Sequence, residues 1–206
     1  FVQEGIYDTF VQKMKEYAEN LAIGNGMLES TFNGPQVSQQ QLDTILRYIE
    51  TGKKEGAKLV TGGNRKLVKG FENGFFVEPT IFEAEDHHTI AQEEIFGPVM
   101  SVLKFSSIDE VIQRSNSSPF GLASAIVTKN ILNAQKVAHA LRAGYCWINT
   151  VGVISPSASF GGFGQSGIGR ELGEYGLSNY TEIKTVMCKT EEYEGDILPT
   201  FKTSKL

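Results

Sequence analysis

The stretch from residue 98 to 149, "PVMSVLKFSSIDEVIQRSNSSPFGLASAIVTKNILNAQKVAHALRAGYCWIN", decides the fold. "PVMSVLKF" (98–105) is an apolar run that opens on a Gly-Pro turn and predicts a strand. Ser107 and Glu110 stand in capping-box spacing, so "SIDEVIQRSN" predicts a helix. "GLASAIVT" predicts a strand, "NILNAQKVAHAL" a helix and "GYCWIN" a further strand. Strand, helix, strand, helix, strand with short connections implies parallel pairing and right-handed crossovers. The near-continuous apolar character of the strands suits a sheet covered on both faces. The expected class is therefore α/β, a parallel sheet flanked by helices.

Working outward toward Phe1, Ile6, Phe10, Met14, Tyr17 and Leu21 recur at steps of three and four and predict an amphipathic helix. "AIGNGMLESTFNGPQ" breaks it. Ser38 can cap a second helix with Leu42, Ile45, Leu46 and Ile49 on one face. "KLVTGG" and "FFVEPTIF" read as strands, the latter near an edge because Pro79 lacks an N–H. Toward the other end, "TVGVISPSASFGGFGQSGIGRELGEYGL" holds eight glycines and little periodicity, as functional loops do. "NYTEIKTVMCK" (179–189) returns to β chemistry, and the polar residues 190–206 predict a flexible tail.

The 206 residues carry 40% hydrophobic and 21% charged side chains, an ordinary soluble composition that can bury a sizeable core. A formal net charge of -5 argues against a nucleic-acid partner. No apolar run reaches the length of a membrane span, so no membrane partner is expected. Cys146 and Cys188 are too few for a disulfide framework and have no Cys or His at metal-ligand spacing, so no metal is expected. Both read as buried, inert thiols, and His87-His88 as a solvated loop.

Residues 162–167, "GFGQSG", fit G-x-G-x-x-G. The dinucleotide fingerprint also needs a buried strand before it and a helix after it. Here "SPSASF" precedes and further glycines follow, so the stretch reads as a loop in which backbones pack closely. "EEIFGP" (93–98) is more telling. Adjacent carboxylates normally form a solvated turn, yet Phe96 and Pro98 draw this one inward. A carboxylate at the mouth of a strand can accept bonds from two vicinal hydroxyls, and an aromatic beside it can pack on a flat ring.

"EEIFGPVMSVLKF", "SFGGFGQSGIGRELGEYGL", "YTEIKTV" and "GPQVSQQQLDTILRYIETGKKEGAKLVTGG" together resemble the aldehyde dehydrogenase superfamily, in particular its broad-specificity NAD-dependent cytosolic and mitochondrial branch in a fungal version. The likeness runs in order from Phe1 to about Lys189. By that resemblance residues 1–178 are a catalytic domain lacking its first segment, and 179–189 an oligomerisation strand. Glu94 matches the carboxylate on the nicotinamide ribose, Phe96 the aromatic beside the nicotinamide, and Gln41 a glutamine near the same ribose. Thr44 stands where many relatives carry a lysine. Phe160 matches an aromatic of the aldehyde tunnel, and Ile154 replaces another. Arg170 and Glu182 match a pair at the subunit interface.

The resemblance implies NAD or NADP as cofactor, a small-molecule aldehyde as substrate and a carboxylic acid as product. The family's cysteine nucleophile, its general base and its dinucleotide-binding domain fall upstream of Phe1. The chain, which starts on Phe rather than Met, is thus expected to be a fragment that is inactive alone, from a homodimer or homotetramer. The alternative is a non-catalytic structural relative. The terminal Ser204-Lys205-Leu206 is a receptor-read peroxisomal signal, with cytoplasmic residence as the alternative.

Overall fold

The computed structural model describes residues 1–188. Its strands are β1 (Val2–Gln3), β2 (Lys58–Thr61), β3 (Thr80–Glu83), β4 (Val99–Val102), β5 (Lys104–Phe105), β6 (Phe120–Gly121), β7 (Ala123–Ile126), β8 (Tyr145–Ile148) and β9 (Phe163–Gly164). Its α-helices are α1 (Tyr7–Glu19), α2 (Gln39–Lys54), α3 (Thr89–Gln92), α4 (Ile108–Ser115), α5 (Ile131–Ala140) and α6 (Gly173–Gly176). The architecture is α/β with parallel pairs β3–β4 and β7–β8.

The helices begin where side chains satisfy their first N–H groups. The Ser38 hydroxyl accepts from the Gln41 N–H at the start of α2. At α4 both halves of the capping box form between Ser107 and Glu110. Asn130 accepts from the N–H groups of Leu132 and Asn133 at α5. Leu42, Ile45 and Ile49 of α2 are fully buried against Val77, Phe82, Ile90 and Ile95, which makes this the principal core. A second cluster joins Val2, Tyr7, Val11, Ala18, Ile81 and Val102.

Several expectations need correction. The buried stripe of α1 is Tyr7, Val11 and Ala18, with Phe10 and Met14 packed beside it, whereas Ile6 and Tyr17 are exposed. The strand after Pro79 is central, between β2 and β4, because it begins one residue past the proline and so loses no ladder N–H to it. "PVMSVLKF" divides at Leu103: β4 pairs with β3, and β5 pairs with β1. Among the described residues the strands also form four separate sheets, with β4 and β7 unpaired to each other. Of the expected strand-helix-strand units, only β7–α5–β8 closes as a parallel pair. No residue of β7 or β8 is fully buried, so neither is covered on both faces. Among the described residues none from 180 to 188 pairs as a strand within this chain, the expected partner edge being that of a second copy. Lys189 and the predicted tail lie outside the described residues.

Candidate functional site

The turn from α3 into β4 is built by alternation. Glu93 is extended (φ -110°, ψ 148°), so successive side chains point to opposite sides. Its carboxylate accepts the Tyr48 phenol at 2.7 Å. Glu94 is exposed and makes no hydrogen bond or ion pair among the described residues. Ile95 is buried in the principal core. Phe96 is 78% exposed and sits at φ +53°, a left-handed conformation that an aromatic residue adopts only when its surroundings impose it.

The surroundings that impose it lie on α2. Gln41 Nε2 donates to the carbonyl oxygens of Phe96, at 2.7 Å, and Ile95, at 3.3 Å. Gly97 lies against Ile45 so closely that a Cβ there would stand 2.4 Å from Ile45 Cδ1. The hydrogen bond to Glu93, followed by partial burial, raises the Tyr48 phenol above its ordinary pKa. At the foot of the turn, Glu55 accepts the Thr89 N–H and hydroxyl, and these bonds hold its carboxyl below the ordinary value.

Gln41 and Phe96, expected at one site, are thus joined, with Glu94 beside them. Gln41 is occupied with loop carbonyls rather than directed outward. Thr44, one turn on, is half-buried. Sequence reading missed Tyr48, Ile45 and Glu93, because the partners are 45 or more residues apart and no local spacing pairs them.

A second grouping surrounds an open cleft of about 470 Å³ lined by Tyr145, Cys146 and Trp147 of β8 together with Thr150, Val153 and Ser159. The Tyr145 ring lies 5.7 Å from Phe160 and 4.8 Å from Trp147. Trp147 Nε1 donates to the Val153 carbonyl at 2.7 Å, which ties the loop to the strand. Ile154, half exposed, is not part of the cleft lining. Cys146 is half-buried in the cleft wall and Cys188 is exposed, so neither is the buried thiol expected; strand β8 lacks a cover on this side.

The glycine loop packs as a loop. A Cβ on Gly144 would stand 1.7 Å from the Gly161 carbonyl, and β9 pairs with β6. Arg170 donates to the carbonyls of Gly162 and Gly169 and lies over the Phe163 ring. It makes no ion pair with Glu182, which is exposed. His88 is buried rather than solvated, its Nδ1 accepting from the Glu85 N–H, while His87 is exposed. No cluster of metal ligands occurs among the described residues, and no helix there is long and apolar enough to cross a membrane.

Residues 1–186 match the aldehyde dehydrogenase family, and the chain belongs to that family. An aldehyde dehydrogenase of Emericella nidulans is 53% identical over 186 residues, 90% of this chain and 37% of that protein. The human mitochondrial aldehyde dehydrogenase is 48% identical over 193 residues, 93% of this chain and 37% of that protein. The NAD+ complex structure of aldehyde dehydrogenase from Bacillus cereus superposes with a TM-score of 0.88 at 48% identity, covering 93% of this chain and 38% of that one. The chain therefore spans little more than a third of the length of these relatives.

Proposed function

We propose that this chain is the nicotinamide-facing part of an NAD(P)-dependent aldehyde dehydrogenase that converts a small-molecule aldehyde to a carboxylic acid. The observation that carries the reading is the pairing of an unengaged carboxylate, Glu94, with an exposed aromatic held at φ +53°, Phe96. These residues fit the nicotinamide half of the cofactor: a carboxylate offers two acceptor oxygens to the two O–H donors of a ribose, and the ring offers a flat apolar face. The bound cofactor supplies a hydride acceptor. Glu94 fixes the ribose, Phe96 limits where the ring can lie, and Gln41 fixes Phe96. A purely structural role leaves the strained Phe96 unexplained.

The nucleophile is assigned outside this chain. Cys146 sits in a strand wall, and its thiol bonds the Trp147 carbonyl rather than a His. The chain alone is accordingly inactive, and the complete enzyme is a homodimer or homotetramer in which the exposed residues 180–188 pair with a neighbouring sheet edge. The motif Ser204-Lys205-Leu206, outside the described residues, directs it to peroxisomes. A fluorescent fusion ending in these residues should become punctate, and removal of Leu206 should return it to the cytosol; diffuse signal from both refutes the address.

The test of the main reading is Glu94→Gln in the complete enzyme. Gln keeps the shape and weakens the contacts to the hydroxyls. Because misplacement of about 1 Å can cost roughly a hundredfold, hydride transfer should slow and the primary isotope effect from deuterated aldehyde should rise. An unchanged rate and isotope effect contradict the assignment.

A further inference from the structure

We propose that Tyr48, acting through Glu93, is a positioning residue that decides which of the two adjacent carboxylates is presented at the strand mouth. The inference rests on the reading of Glu94 and Phe96 given above and names what enforces it. A sequence with two consecutive glutamates is ambiguous, because either could face the ligand. In extended backbone the two must face opposite ways. Fixing one therefore fixes the other, and the Tyr48 phenol fixes Glu93 at 2.7 Å.

Three residues of α2 act together. Gln41, Ile45 and Tyr48 stand at i, i+4 and i+7, one face of the helix. Each holds a different part of the turn: Gln41 the carbonyls of residues 95 and 96, Ile45 the bare backbone of Gly97, and Tyr48 the carboxylate of Glu93. A left-handed aromatic persists only where such contacts over-determine it. Tyr48 is the one whose bond to the turn is made by a side chain at both ends. The Arg47 guanidinium lies 5.3 Å from the centre of its ring and steadies it from the solvent side.

The test compares the chain with Tyr48→Phe, Glu93→Gln and Glu93→Ala, following conformational exchange at residues 95–97 by NMR relaxation dispersion and titrating with nicotinamide mononucleotide. Tyr48→Phe and Glu93→Ala should increase exchange at Phe96 and Gly97 and weaken binding roughly tenfold, the factor carried by one lost bond to a charged group. Glu93→Gln, whose neutral amide oxygen still accepts from the phenol, should fall between wild type and Glu93→Ala in both. The proposal is overturned if Tyr48→Phe leaves exchange and binding unchanged, or if Glu93→Gln behaves like Glu93→Ala. If the unaltered chain binds no nicotinamide mononucleotide while exchange still responds to Tyr48→Phe, positioning of the turn is upheld and the cofactor reading fails.

Discussion

At the scale of single residues, Gly97 shows how closely the site is fitted to the core. Its neighbour Ile45 is fully buried and has no room to withdraw. Gly97→Ala inserts a methyl into that contact and should destabilise the protein by about 1–3 kcal/mol, read by denaturant unfolding. An unchanged midpoint would mean that the turn can lift off α2. Tyr7 is a second such residue. Its phenol donates to the Val102 carbonyl, and burial, with Glu83 and Asp8 adding repulsion, pushes its pKa up to about 12 from 10. A raised phenol favours the neutral form in the fold, so its contribution is complete below pH 10 and is lost as pH rises toward 12. Tyr7→Phe should flatten this alkaline limb of the thermal unfolding profile.

That a carboxylate and an aromatic stand together at a strand mouth was legible in the sequence, and their conformation was not. "EEIFGP" signals a carboxylate and an aromatic at a strand mouth, but nothing local shows that Phe96 is left-handed or that Glu93 is engaged. Those facts depend on α2, which is separated from the turn by β2 and β3.

At the scale of elements, the helices were the most readable part, since their caps lie within three residues of one another. Ser107 and Glu110 illustrate it. Bonds from the Ser106 hydroxyl and N–H, and from Arg114, hold the Glu110 carboxyl down to about 2 from 4.5. A depressed carboxyl stabilises the fold above its ordinary pKa, so this contribution is complete above pH 4.5 and is lost as pH falls toward 2. Glu110→Gln should therefore reduce the stability lost across that acid window. Ser107→Ala, which removes the other half of the box, should cost about 1 kcal/mol at neutral pH. A variant as stable as the parent would show that Arg114, bonded to Asp86 and the Lys104 carbonyl as well, anchors α4 alone. Strand pairing was harder to read. "PVMSVLKF" has the composition of one strand, yet its two halves serve different partners across Leu103. Composition records how well a residue suits a sheet, not which edge it meets.

At the scale of the whole molecule, burial is uneven. Both core clusters draw only on residues 2–102. Beyond them, α5 packs on β7 and β8 and buries its Ala134, while β8 lines an open cleft. The apolar runs that predicted doubly covered strands are real, but burial is a property of what packs against them. Ile168 and Ile183 are fully exposed, as is most of Met187. Light scattering at micromolar concentration should find the chain self-associated, since exposed apolar surface and unpaired backbone favour it; a strictly monomeric solution would contradict the proposed role of residues 180–188.

The central claim is that the turn carrying Glu94 and Phe96 receives the nicotinamide ribose. The most direct measurement is an NMR titration of the chain with nicotinamide mononucleotide, with nicotinamide as control. Both ligands carry the nicotinamide ring, and only the first carries the ribose hydroxyls that Glu94 is proposed to accept from. The account predicts that the amides of Phe96 and Gly97 shift more strongly with the first than with the second, and that Glu94→Gln weakens the response to the first alone. Equal shifts with both ligands, or shifts confined to residues away from 93–97, would contradict it.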